Sequence, residues 1–407
     1  MLVLYDDTRA RTFEPFALTR PLGEVRAGAE LLRRRWEIAL GLPCSGFVGA
    51  AHLADFHEPW APAAATGVLA AGTVVANSRF AVGLEALVQE GRVWMCRDEV
   101  AAVRLHAPVP VAHLADGSVA LASLAEPHAA RTPLTGRWLD HVWDLIGHLS
   151  AMLAEDIPLL ASDLMVGGPP AHATVIGQHP VYVEGGAHVE PHTVLDVSAG
   201  PILLRRGATV QAFTRLVGPA VIGEGSSVAG DRIACVSIGE VCKIHGEVST
   251  VIVLGHANKG HDGFVGHSVL GRWVNLGAGT VTSNLKNTYG SVALWTPDGI
   301  RDSGLPFLGT MFGDHVKTGI GMRLTTGCVL GAGASIFDAM APKVVPPFAW
   351  GTGAPYGRYA LDKFLDVAQR MMERRHVDLT EAARRQLAAA YARAGSAEIA
   401  ARWLDTR

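Results

Sequence analysis

Between His256 and Asn284 the chain reads HANKGHDGFVGHSVLGRWVNLGAGTVTSN. Three histidines, His256, His261 and His267, fall within twelve residues and are followed by a glycine-rich turn, Asn275-Leu-Gly-Ala-Gly-Thr280. Imidazole titrates nearest neutral pH, which suits it to take a proton from an amine nucleophile. Glycine-rich backbone presents N–H groups at close range, a means of stabilising a developing oxyanion. Together these residue types point to acyl transfer. The ordinary alternative for a lone histidine is a hydrogen-bonded corner residue; three of them beside glycine-rich backbone weigh against it. A second cluster lies near the N-terminus: Asp6, Asp7, Arg9 and Arg11, then Arg20 and Arg26. Carboxylates can hold Mg²⁺ and arginines can bind phosphate. A solvated loop is the equal alternative there.

The elements that must position these residues follow from hydrophobic spacing. From about residue 170, apolar residues recur every six positions. Val183, Val189 and Leu195 form one run, Ile222 and Val228 a second, Ile238 and Ile244 a third, Leu270 and Leu276 a fourth, and Leu324, Leu330 and Ile336 a fifth. Glycine often follows directly, at Gly223, Gly239, Gly271, Gly277 and Gly331. A period of six fits neither a helix nor a simple strand. It fits a hexapeptide β-helix, with the apolar residue pointing inward at each step. The repeat is interrupted between Thr282 and Gly313 and stops after Pro346-Pro347. Residues 358–375 and 379–394 then read as helices covering the prism end, the second opened by a capping box from Asp378 to Glu381.

Upstream, residues 1–134 read as mixed α/β, with a strand at Leu2–Tyr5, a helix over 24–40, and strands at 67–76 and 92–96. Residues 135–161 read as one long helix with Thr135 as N-cap and Pro158 at its end. The expected domains are therefore 1–134 α/β, 135–165 a connecting helix, 170–350 the β-helix and 351–407 the C-terminal helices.

Composition narrows the function. The 407 residues exceed one compact core. Lys+Arg 35 against Asp+Glu 38 gives a net charge of −3, with no basic footprint for nucleic acid. A hydrophobic share of 49% excludes a disordered chain. Five cysteines without a CxxC pair argue against disulfides or structural zinc and for a reducing cytoplasm. No segment reads as a signal peptide or membrane span.

Residues 222–340 resemble the left-handed β-helix acetyltransferase domain of the bifunctional enzymes that make UDP-N-acetylglucosamine. The matching pieces are Lys259-Gly-His261, Leu270-Gly271, NLGAGTVTSN and GDHVKTGIGMRLTTGCVLGAGASI. The stretch Pro15-Phe-Ala-Leu-Thr-Arg-Pro21, with Glu24, Arg26 and RRRWE, is similar to the divergent bacterial and archaeal branch. The resemblance implies an α/β nucleotidyltransferase-like domain, a left-handed parallel β-helix and C-terminal helices. It further implies a homotrimer that N-acetylates an amino-sugar 1-phosphate, glucosamine 1-phosphate above all, from acetyl-CoA. Coupled uridylyl transfer from UTP, with Mg²⁺ in the first domain, would complete UDP-N-acetylglucosamine.

By that resemblance His261 is the general base and Glu247 its acid partner. Asn275, Asn284 and Arg232 meet the sugar phosphate, while Ala278, Gly279 and Ile320 line acetyl-CoA. Two positions depart: the family's phosphate-binding lysine falls on Ser249 and a tyrosine falls on Phe264. Lys259 and Lys286 are the candidates to restore the charge. In the first domain Asp7, Arg11, Arg20 and Arg26 are the nucleotide candidates, although the family's glycine-rich loop is missing.

Competing readings are a nucleotidyltransferase alone and a non-catalytic sugar-nucleotide-binding protein. A third arises because His256-x4-His261 has the spacing of β-helix carbonic anhydrases, which bind zinc through three histidines across a subunit interface. The third histidine is absent at position 220, which is Ala.

Overall fold

The computed structural model describes residues 1–85 and 91–404. The chain divides into two compact units, Met1–Val142 with Thr380–Arg393, and Trp143–Leu379 with Ala394–Arg407.

The first unit is built on a six-stranded sheet. Its order is Arg131–Pro133, Val93–Cys96, Glu99–Arg104, Val74–Asn77, Leu2–Tyr5 and Cys44–Val48. Leu2–Tyr5 pairs in parallel with both of its neighbours and is buried throughout. A continuous apolar run of this kind suits a strand covered on both faces. The helix expected over 24–40 begins only at Leu32. Arg26–Ala27 pairs instead with Glu30–Leu31 in a tight hairpin, turned at Gly28 with φ 63°. The helix ends at Gly41, whose φ of 62° terminates it in the left-handed conformation.

The expected long helix over 135–161 is also shorter. Gly136–Trp138 is a strand paired with Phe80–Val82, so Thr135 caps nothing. The regular helix is Leu149–Ser162, and Pro158 lies inside it. Its buried residues Leu149, Met152, Leu153 and Ile157 pack on the solenoid strands Arg215–Ile222 and Ile233–Ile238. It is therefore a covering helix of the second unit.

The second unit is a β-solenoid. Its main sheet runs through coil after coil from Val166–Gly167 to Val344–Val345, with parallel pairing throughout the repeats. The hexapeptide residues Ile222, Val228, Ile238, Ile244, Leu270, Leu276, Leu324, Leu330 and Ile336 are all buried. The glycine that follows has a steric cause. A Cβ on Gly239 would lie 2.2 Å from the Leu254 carbonyl oxygen of the next coil, and one on Gly277 would lie 2.5 Å from that of Gly319.

The interruption after Thr282 leaves the coil, forms a hairpin from Ala293–Thr296 and Gly299–Asp302, and returns at Thr310–Phe312. Three C-terminal helices follow, Leu361–Glu373, Glu381–Ala394 and Ala397–Leu404. Phe364 of the first packs edge-on against Phe348 and His315, covering the last coils. The second groups with the first unit, where Gln386 donates to the Thr19 carbonyl at 2.9 Å. Its N-cap is Thr380, whose hydroxyl accepts the Ala383 N–H, rather than Asp378. Trp403 of the third, which sequence periodicity did not reveal, stacks on Trp295 of the hairpin at 4.0 Å. All five cysteines are free. Among the described residues no helix is long and apolar enough to cross a membrane.

The glycine contacts predict that Gly239→Ala lowers stability by about 1–3 kcal/mol, the usual cost of overpacking. Urea denaturation reads this directly; an unchanged midpoint would mean that the coils separate freely.

Candidate functional site

Parallel register stacks Ile233 on Val248 and Val248 on Val265. The residues just before them, Arg232, Glu247 and Phe264, thus occupy equivalent positions on three successive coils. The Val248 N–H donates to the Arg232 carbonyl at 2.9 Å and the Val265 N–H to that of Glu247 at 3.1 Å. Arg232 and Glu247 are exposed. His261 is exposed too, at the corner linking Asn258–Lys259 to Val265–Leu270. Among the described residues neither His261 nor Glu247 has a side-chain hydrogen bond or ion pair, so both are open to a ligand.

The glycine-rich turn lies on the next coil. The Leu276 N–H donates to Asn258, that of Gly277 to Thr318, that of Gly279 to Asp262 and that of Thr280 to Gly277. Among the described residues the Ala278 N–H has no acceptor. A single unpaired backbone donor in a fixed turn is what an oxyanion requires. The bond from Gly279 to the Asp262 carbonyl, 3.0 Å long, joins this turn to the residue after His261. Asn275 accepts from Asn258 at 2.8 Å through its side-chain oxygen.

Beside this corner, Asn284 Nδ2 and His267 Nδ1 are 2.8 Å apart. The His267 ring stacks on Phe307 of the returning insertion at 5.2 Å. Burial pushes the His267 pKa down, favouring neutral imidazole. Gly266 makes this arrangement fit, since a Cβ there would lie 2.8 Å from Asn284 Nδ2. Lys286 is tied to the Ser291 carbonyl at 2.6 Å. Lys259, expected to meet phosphate, is buried, with its Nζ on two backbone carbonyls.

From Ala278 an exposed track runs along the coils. The Ala278 carbonyl accepts from Gly321, Gly319 donates to Ile336, and Phe337 donates to Gly351. Ile320, Phe337 and Trp350 are exposed on these coils, Ile320 to 83%. Three coil steps of about 4.8 Å span roughly 14 Å. The track ends at a pocket of about 500 Å³ lined by Trp350, Arg358, Tyr359, Lys363, Asp366 and Arg370. The Trp350 and Tyr359 rings lie 4.3 Å apart, inclined by 42°. Cations beside aromatic rings suit an anionic ligand with a planar base.

In the first unit, the chain leaves Leu2–Tyr5 between two parallel neighbours. Ligands bind at such points in open α/β sheets, outside the C-terminal ends of the strands. Asp6, Asp7, Asn77, Ser78 and Arg79 gather there. Asp7 accepts from Arg79 Nε, Asn77 Nδ2 and the Ala10 N–H, at 2.8, 2.8 and 2.7 Å. Arg79 also reaches Asp140 and Glu99, and its guanidinium lies 4.4 Å from the Trp138 ring centroid. The signal for this cluster in the sequence is Asn77-Ser-Arg79, polar residues that directly follow the apolar Val74-Val-Ala76.

The expected nucleotide arginines are engaged elsewhere. Arg11 donates to the carbonyls of Asp6, Ala115 and Gly49. Arg20 is 2% exposed and grips Glu58 with two hydrogen bonds of 2.8 and 3.2 Å. Arg26 is buried and donates to the Ala29 carbonyl. These three side chains build the fold. Asp6 is buried as well, accepting from Ser78 and from the Leu22 N–H. With Asp6 enclosed and Asp7 shared among three donors, the pair does not fit a Mg²⁺ site.

The zinc alternative also meets a geometric obstacle. His256 is buried, faces Arg272 Nη1 at 3.1 Å and stacks on Trp273. It precedes the strand Asn258–Lys259 whereas His261 follows it.

Residues 2–164 match the sugar nucleotidyl transferase family. The chain is 34% identical over 91 residues to a bifunctional sugar-1-phosphate nucleotidylyltransferase/acetyltransferase of Sulfurisphaera tokodaii, covering 22% of this chain and 23% of that protein. It is 26% identical over 166 residues to the bifunctional protein GlmU of Acaryochloris marina, covering 38% and 33%. The matched segments thus span a quarter to a third of these relatives.

Burial raises the Asp6 pKa from 3.8 to about 6, against the bonds from Ser78 and Leu22 that oppose it. The folded value lies above the unfolded one. The stability it contributes is therefore fully present below pH 3.8 and lost as pH rises through about 6. Asp6→Asn should flatten this part of the profile in melts taken across that range. An unchanged slope would show that Asp6 does not titrate there.

Proposed function

Starting from the divergent GlmU-like protein that the family match, the relatives and the β-solenoid fit, we propose that the second unit transfers acetyl from acetyl-CoA to the amine of an amino-sugar 1-phosphate. Glucosamine 1-phosphate is the favoured acceptor. The observation that carries this reading is the open His261 corner joined to a glycine turn whose Ala278 N–H has no acceptor among the described residues.

The chemistry follows from the residues. His261 takes the ammonium proton, and Glu247 stands on the same corner to orient the imidazole and support its charge. The freed amine attacks the thioester carbonyl carbon, and the oxyanion accepts from the Ala278 N–H. Collapse breaks the carbon–sulfur bond; the nitrogen's second proton passes to the thiolate, giving the amide and the free thiol, and the first leaves His261 for water. Arg232, exposed beside Glu247, is the cation for the sugar phosphate in place of Lys259. Asn275 and Asn284 contact the sugar. The pantetheine arm lies along Ala278, Gly279 and Ile320, and the nucleotide end of CoA enters the Trp350–Tyr359 pocket with its phosphates on Arg358, Lys363 and Arg370. The solenoid is read as left-handed and assembled in threes, so light scattering should give the mass of three chains.

For the first unit we propose binding of a nucleotide or sugar nucleotide at the C-terminal ends of the parallel strands, with uridylyl transfer as its reaction. Arg9, paired with Asp140 yet half exposed, supplies a cation for a phosphate there. Calorimetry with UTP and with UDP-N-acetylglucosamine tests this; absence of heat with both would leave the unit as scaffold.

A coupled assay with acetyl-CoA and glucosamine 1-phosphate tests the acetyltransferase. His261→Ala should lower kcat about 10²–10⁴-fold, the usual worth of a general base. Replacing Arg358, Lys363 and Arg370 by Ala should raise the KM for acetyl-CoA but not that for acetylpantetheine, which lacks the nucleotide. Full activity in His261→Ala would refute the base assignment, and equal effects on the two donors would refute the pocket.

A further inference from the structure

One residue of the solenoid core departs from its column. Parallel register places Val210, Val228, Ile244 and Lys259 at the same inward position of successive coils, and Leu276 follows on the next. Four of these are aliphatic. The fifth is a lysine that is 3% exposed. Its Nζ reaches the corner and donates to the carbonyl oxygens of His245 at 2.7 Å and His261 at 2.5 Å. The former belongs to the preceding coil. Gly246 makes room for the ammonium, since a Cβ there would lie 3.3 Å from Nζ.

A buried ammonium is costly. Well-packed apolar residues of similar volume in place of buried ions are often neutral or stabilising. Desolvation by burial lowers the Lys259 pKa to about 8, against the opposing pull of Asp262. Around it, Asp262 approaches His245 Nδ1 at 3.2 Å, and the Asp262 carbonyl takes the Gly279 N–H. The lysine thus sits where three parts meet: the preceding coil, the His261 peptide and the glycine turn. A charge-assisted hydrogen bond is roughly twice as strong as a neutral one, so the pair ties the His261 carbonyl firmly to that of His245.

We propose that Lys259 is a positioning residue, whose buried ammonium pins the His261 peptide to the preceding coil and so fixes the imidazole against the Gly277–Gly279 turn, at the expense of solenoid stability. The proposal rests on His261 being the base, and its test includes a readout that does not.

Lys259→Met fills the column without the charge. In the full-length protein its melting temperature should equal or exceed that of the wild type. Its kcat for acetyl transfer should fall about 10²-fold, the scale of a misplaced reacting group, with the KM for acetyl-CoA unchanged. Independently of turnover, NMR of histidine-labelled protein should show the His261 ring resonances shifted or broadened while those of His172 and His188 stay in place. Lys259→Gln, a neutral donor, should retain more activity than the methionine variant, and it supplies the same readouts should that variant not fold. A large fall in melting temperature with kcat per folded molecule intact would make Lys259 a stabilising residue and overturn the proposal. Unchanged kcat and an unchanged His261 signal would do the same. Altered His261 resonances in a protein whose wild type does not acetylate would sink the base assignment and leave the positioning role standing.

Discussion

Parallel backbone hydrogen bonding from coil to coil, at a spacing of about 4.8 Å, is the constraint on which the second unit depends. It forces residues at equivalent positions into columns. Inward columns are apolar because they meet no water, as at Val228, Ile244 and Leu276, with the buried Lys259 the exception among them. Positions after them must be glycine wherever the next coil's backbone passes within reach of a Cβ, as at Gly239 and Gly277. The same register stacks Arg232, Glu247 and Phe264 into an outer column and carries the exposed track from Ala278 to Trp350. An insertion can leave such a stack only if it returns in register. The chain after Asn284 does so through the Leu308 N–H to the Asn284 carbonyl and the Gly309 N–H to that of His267.

The two units use buried charge differently. In the first, arginines are construction material: Arg20 grips Glu58, Arg33 grips Glu24 and Glu37, and Arg11 ties three loops by their carbonyls. A guanidinium offers five donors in a fixed fork, so one side chain can satisfy several orphan acceptors at once. This explains why an arginine-rich opening segment that suggests phosphate binding has little cationic surface left for it. In the second unit Arg232 is exposed at a corner, and Lys363 and Arg370 line the pocket at the last coils. There the solenoid supplies flat backbone and leaves the side chains to reach a ligand.

Much of the solenoid and of its corner was legible because both are set by spacing. A six-residue period has one economical solution, and the His261 and NLGAGT segments sit at fixed offsets on it. What the sequence misassigned were side chains whose role depends on a distant partner. Lys259 reads as a surface cation until the column beneath it is known. Arg20 reads as a phosphate ligand until Glu58, 38 residues away, is brought to it. Thr135 reads as a helix cap until Gly136–Trp138 pairs with Phe80–Val82.

The sequence by itself determined the repeat, its limits, the place of its interruption and the presence of histidine beside a glycine turn, because periodicity and local sterics need no long-range information. Tertiary structure alone decided which donors are spent and which are open: that the Ala278 N–H meets no acceptor among the described residues, that His256 is enclosed by Arg272 and Trp273 while His261 is exposed, and that Asp6 and Asp7 are already shared among protein donors. A hydrogen-bonding group's availability is a property of everything packed around it, and that packing is set by contacts far apart in the chain.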